Sequence, residues 1–158
     1  MLLSKRCEYG LRAMLYLATL EGTSGADPTR GYVSIRAVSD DLDIGFSFLT
    51  KVLQELNDAG LLTSKRGRGG GVALTQAPSE ISIYNIVVAL EGDDLFNECV
   101  LGLPGCGEAE PCPLHDHWTD ERERMEMKFR ETTLAEVPDV RLAPFGGEDE
   151  GLPFNASS

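Results

Sequence analysis

The chain has 158 residues, of which 42% are hydrophobic, enough for one domain with a real core and too ordinary for a fibrous or low-complexity protein. No apolar run reaches membrane-spanning length: Leu11 to Leu20 is short and is interrupted by Arg12, so the expected location is the cytoplasm. The net charge of −12 is lopsided, with 9 Lys/Arg against 8 Asp/Glu in residues 1–76 and 5 against 18 in residues 77–158, so only the first half can approach a polyanion closely.

Residues 4–20 are predicted as an amphipathic helix. Ser4 suits the N-cap, and Leu11, Met14, Leu15 and Ala18 recur at helical spacing. Cys7, on this helix, reads as a small core residue. Residues 21–31 are loop by composition. Ser34 can cap a second helix that turns Ile35, Val38 and Leu42 inward, and Asp43-Ile44-Gly45 makes a turn. A third helix begins near Ser47, with Leu49, Val52, Leu53 and Leu56 on one face and Gly60 where a C′ glycine belongs.

Helix, short turn, helix is the helix-turn-helix pattern, and the next segment sharpens it. Residues 61–66 read as a strand, Gly67-Arg68-Gly69-Gly70-Gly71 as a turn and Val72-Ala73-Leu74 as a returning strand, a basic wing. A phosphate-binding P-loop is excluded, because no Lys-Ser/Thr follows the glycines and a strand, not a helix, comes next. The predicted fold is mainly α with a small β-wing: a winged helix-turn-helix plus a long dimerisation helix.

Ala77-Pro78 breaks the chain, and Ser82 opens a fourth helix through Leu90, ended by Gly92. From His115 to Glu136 a long charged helix is predicted with a thin apolar stripe of Leu114, Trp118, Met125 and Phe129, which suits docking on a symmetry mate. The organisation expected is a DNA-binding domain at 1–76, a linker helix, cysteine loop and dimerisation helix at 77–137, and a disordered acidic tail at 138–158.

Between the fourth and the long helix lie Cys99, Cys106, Cys112 and His115, in a loop rich in Gly and Pro. Soft thiolates favour zinc, copper(I) or an iron–sulfur cluster, and a structural zinc site of three cysteines and one histidine or a metal-free thiol switch uses the same residues. On the third helix Ser47, Thr50, Lys51 and Gln54 fall outside the apolar stripe, where side chains near a recognition helix's N-terminus reach base edges. Arg66 and Arg68 flank the wing tip and suit a narrow minor groove. Lys5 and Arg6 are expected phosphate contacts without sequence readout.

Glu8-Tyr9-Gly10-Leu11-Arg12-Ala13, Phe48-Leu49-Thr50-Lys51-Val52-Leu53, Ala59-Gly60-Leu61-Leu62, Arg66-Gly67-Arg68-Gly69-Gly70-Gly71-Val72, and the cysteine loop with His115-Asp116-His117-Trp118 occur in one order across roughly residues 2–135. In this the chain resembles the family of iron–sulfur cluster regulators and nitric-oxide-sensing repressors, dimeric bacterial winged-helix transcription factors. The resemblance implies a homodimer on double-stranded operator DNA, with affinity changed as an iron–sulfur cluster (2Fe–2S rather than 4Fe–4S) is gained, lost or modified. It also implies a fourth ligand: His115 matches the histidine ligand of some relatives, and Glu8 the position from which others supply a carboxylate across the dimer. The first cysteine gap is six residues where some relatives have five, and the loop at 21–31 is longer than the family's. Two other readings use the same cysteines: a small iron–sulfur electron carrier, for which no second ligand set is present, and a zinc-stabilised regulator without sensing.

Overall fold

A computed structural model describes residues 2–24, 31–107 and 109–137. The first helix, α1, spans Lys5–Ser24. Ser4 caps it, its Oγ accepting the Cys7 amide proton at 3.2 Å. It runs on into what composition assigned to loop; the rest of that loop, residues 25–30, lies outside the described residues, as does the acidic tail. Met14 and Ala18 are buried and Leu11 and Leu15 pack partly against the core, as the periodicity requires.

The second and third helices, α2 (Ile35–Leu42) and α3 (Phe46–Asp58), form the helix-turn-helix. Ser34 caps α2 through the Ala37 amide at 3.4 Å. Asp43 ends it in the left-handed region, at φ 52°. Leu49, Val52, Leu53 and Leu56 of α3 are all buried. At its C-terminus Gly60, at φ 80°, lets the Leu61 amide reach the Leu56 carbonyl and its own amide reach that of Asn57, both at 3.0 Å. That pair of bonds is a Schellman closure, which a left-handed residue at C′ makes cheap.

The wing is an antiparallel pair, β1 (Leu62–Lys65) and β2 (Gly71–Leu74), with Leu62 opposite Leu74 and Lys65 opposite Gly71. A one-residue bridge from Val33 to Val72 adds the segment before α2 to its edge. This crossing explains Gly71: a Cβ there would sit 2.0 Å from the Val33 carbonyl oxygen.

Ser82 caps α4 (Ile83–Glu91), with Ile86, Val87 and Leu90 buried. The close approach of α1 to α4 is set by Gly10, whose Cβ would meet Leu90 Cδ1 at 2.3 Å. A short turn of helix the sequence did not signal, α5 (Asp94–Asn97), then buries Phe96. The long helix, α6 (His115–Glu131), ends five residues before the predicted Glu136. Its end is fixed from outside: Thr133 bridges Ser82, the Ile83 amide donates to the Thr132 carbonyl at 2.9 Å, and Leu134 is buried beside Ile81 in the core. Extended backbone at Thr132 and Thr133 suits β-branched residues and replaces helix continuation.

The apolar stripe of α6 is partly taken up inside the chain. Phe129 meets Phe96 edge-on at 5.7 Å, and Met125 and Phe129 pack against the core, whereas Leu114 is 45% exposed. No helix of the described residues is long and apolar enough to cross a membrane.

Candidate metal centre and nucleic-acid interface

The loop from α5 to α6 doubles back on itself. The Gly102 amide reaches the Cys99 carbonyl at 2.9 Å, the Cys106 amide that of Leu103 at 3.3 Å, and the His115 amide that of Cys112 at 3.0 Å. These turns bring the three cysteines together: their Sγ atoms all lie within 4.8 Å of one another, Cys99 and Cys112 at 3.7 Å. The Cys112 amide points at Cys106 Sγ, at 3.4 Å, and His115 Nδ1 stands 3.6 Å from that same sulfur. The loop is strapped to α6 at its start, where the Glu98 carbonyl accepts from Trp118 Nε1 at 3.0 Å and Arg122 Nη1 at 2.8 Å.

Backbone amides set the thiol chemistry. Hydrogen bonds from the Leu103 and Leu101 backbone draw the Cys99 thiol down to about 7, helped by the neighbouring thiols. Cys106 moves the other way: the Cys112 amide lowers it, but burial and the adjoining Cys112 and Cys99 thiols outweigh that. Cys7, in the core, is pushed up to about 12, first by burial and then by the charge of Glu91.

Three convergent thiols with an imidazole nitrogen at their edge are a donor set that fits a soft metal or an iron–sulfur group. Glu8 lies outside that set of ligand atoms; its carboxylate pairs with Lys5 at 3.1 Å and Arg12 at 3.4 Å. His117 is exposed.

On α3 Ser47, Lys51 and Gln54 are exposed and Thr50 is half-buried. Thr50 Oγ1 donates back to the Phe46 carbonyl at 2.7 Å, and Gln54 Nε2 to Asp58 at 2.8 Å. Arg66 and Arg68 stand exposed at the wing tip. Lys5 is exposed at the start of α1. Arg6, expected on phosphate, is already engaged within the chain. Its guanidinium pairs with Glu55 of α3 at 3.2 Å and donates to the Leu90 carbonyl at the end of α4, so it ties three helices together.

The sequence reading missed five surface residues beside these. Arg36 of α2 lies over the Phe46 ring, 4.2 Å from its centroid, and Lys65 lies 5.9 Å over Tyr32. Phe46 and Phe48 are 38% and 42% exposed. The signal was present as two phenylalanines bracketing Ser47, but phenylalanine reads as core until a fold says otherwise.

A sequence model of the Rrf2 family, described as an iron-dependent transcriptional regulator, matches residues 3–139. The transcriptional regulator IscR of Serratia proteamaculans is 30% identical over 137 residues, 87% of this chain and 79% of its own. The regulator NsrR of Shouchella clausii is 35% identical over 99 residues, 63% of this chain and 62% of its own. Among solved structures, CymR, the global cysteine regulator of B. subtilis, superposes with a TM-score of 0.68 at 25% identity, over 86% of this chain and 95% of that one. With a winged helix-turn-helix head and a match over most of its length, the chain belongs to the Rrf2 family of transcriptional regulators, DNA-binding proteins and not enzymes.

Proposed function

We propose that the chain is a homodimeric, cytoplasmic repressor whose operator affinity is set by an iron–sulfur cluster held by Cys99, Cys106 and Cys112. The observation that carries this is the convergence of the three Sγ atoms within 4.8 Å, on a loop with no other evident reason to gather them. His115 is the ligand within the chain best placed to complete the set, standing 3.6 Å from Cys106 Sγ. Glu8 of a partner subunit is the other candidate, and to serve it would give up its pairs with Lys5 and Arg12. The cluster proposed is 2Fe–2S rather than 4Fe–4S, as the family resemblance implies. When bound, such a cluster supplies a centre that nitric oxide or oxygen attacks and that persists only while iron and sulfide are in supply.

The chain's own residues supply the readout. Ser47, Thr50, Lys51 and Gln54 face the major groove and Arg66 and Arg68 the minor groove, with Lys5 on phosphate. The dimer forms along α6, which has no buried residue in the single chain although it carries Trp118, Met125, Met127 and Phe129 and is preceded by Leu114. Met127 is 59% exposed. The cysteine loop spans from the head to this helix, so gain or loss of the cluster shifts how the two heads sit.

The test is an anaerobic titration of one operator with cluster-loaded and cluster-free protein at equal salt. A coupling of about 1–3 kcal/mol, roughly 5- to 150-fold in affinity, is expected. Equal affinities would sink the sensor reading. Charge-transfer absorption that vanishes in Cys106→Ala is expected as well, and a colourless protein with bound zinc would favour a purely structural metal.

A further inference from the structure

Most of the exposed face of α3 is polar, yet its first turn shows two large apolar rings to water. At about 100° per residue, Ser47, Lys51 and Gln54 run down the middle of that face, opposite Leu49, Val52, Leu53 and Leu56. Phe46 and Phe48 lie one step, about 100°, to either side of Ser47, so they border the polar strip on both flanks. Neither ring is loose. Arg36 of α2 stacks on Phe46 at 4.2 Å, and Tyr9 of α1 meets Phe48 edge-on, centroids 5.6 Å apart. Each ring is therefore held in place by a different helix while 38% and 42% of its residue surface stays open.

Single exposed apolar residues are common and need no cause. Here two of them occur within three positions, at the N-terminal turn that enters a major groove first, each propped by a neighbour. In that groove only one chemical feature of the base pairs is apolar, the C5 methyl of thymine. Resting on the DNA-binding reading above, we propose that Phe46 and Phe48 are specificity residues that recognise thymine methyl groups on the two sides of the polar strip. Arg36, held over the Phe46 ring, carries its charge to the adjoining phosphate. The operator half-site then contains thymines flanking the base pairs read by Ser47 and Lys51.

The experiment uses the full-length protein and duplex DNA selected by it from a random pool. Each thymine of the selected site is replaced in turn by deoxyuridine, which removes only the methyl. Wild-type affinity is expected to fall about fourfold at a sensitive position, the worth of one buried methylene-sized group. Phe46→Ala and Phe48→Ala should each abolish the methyl sensitivity at one position and leave the other. Wild-type binding indifferent to every methyl overturns the proposal alone, and that arm needs no variant to fold. Methyl sensitivity that persists in both folded variants also overturns it. So does loss of dimer, seen by sedimentation, in Phe46→Ala, because the ring would then belong to a subunit contact. Failure to select any duplex overturns the proposal together with DNA binding itself.

Discussion

In the winged head, Met14, Val38, Leu49, Leu53, Leu56 and Leu62 are closed to water, whereas the cysteine loop leaves Val100, Leu101 and Leu103 about half exposed and no residue of α6 is fully buried. The two regions are continuous in one chain but are held by different physics. Apolar burial accounts for the head. The loop has turns, a few hydrogen bonds to α6 and three thiols aimed at one another. With so little apolar burial, such a loop is the kind of region that a ligand on its thiols could rearrange. The head, by contrast, keeps its own internal packing whatever happens in the loop, so only its placement can change.

The sharpest break between the regions is thiol reactivity. In protein stripped of metal with a chelator, iodoacetamide at pH 7 should modify Cys99 faster than Cys7 by roughly a hundredfold or more. A thiol near 7 is about half thiolate at that pH and becomes more reactive as pH rises through it, while a buried one near 12 stays protonated. Peptide mapping that found Cys7 labelled first in the folded chain would erase the distinction.

Next in size is a cavity in the head. Leu53→Ala should destabilise the folded chain by about 2–5 kcal/mol, measured by urea melts, while the folded fraction of metal-loaded protein keeps its full metal content. Metal lost from the still-folded fraction of Leu53→Ala would mean that head and loop are one cooperative unit.

Most of the head was legible because its signals are local. Ser34 and Ser82 as caps, Gly60 as the stop and the α3 stripe all lie within one turn of what they control. The tie that Arg6 makes was not legible because its partners are far off in sequence: Glu55 and Leu90 lie 49 and 84 positions away. The end of α6 was overrun for a like reason, since the strand-like pairing of Thr133 with Ser82 is invisible to periodicity. At the candidate metal site the cysteines announced themselves, but spacing alone could not say that a six-residue gap would still close the triad. Turns at Cys99 to Gly102 and at Leu103 to Cys106 take up that length.

Smaller effects sharpen the division of labour. Arg68→Ala should weaken operator binding by about 1–3 kcal/mol, with stability and metal content unchanged, as gel shift and calorimetry would check. Unchanged affinity would remove the wing from the reading surface. Smallest is Trp118→Phe, which deletes the donor to the Glu98 carbonyl and should cost about 0.5–1.5 kcal/mol. The loss should be confined to faster amide exchange around residues 98–114, and exchange spreading into α3 would show that loop and head are one cooperative unit.

The clasp between Ser82 and Thr133 makes α6 a lever with its fulcrum at the head. At 17 residues the helix is about 25 Å long, pinned to the start of α4 at one end and to the cysteine loop at the other. A displacement of about 2 Å at His115, the size of a changed bond pattern among thiols, tilts such an arm by roughly 5°. Because the pinned end is hydrogen-bonded to the start of α4, whose last turn grips Arg6 of α1 and its cap Ser4, such a tilt would be delivered as torque on the framework that aims α3. In a twofold assembly the two arms would turn in opposite senses, so a small local rearrangement would be read out as a change in the span between two recognition helices.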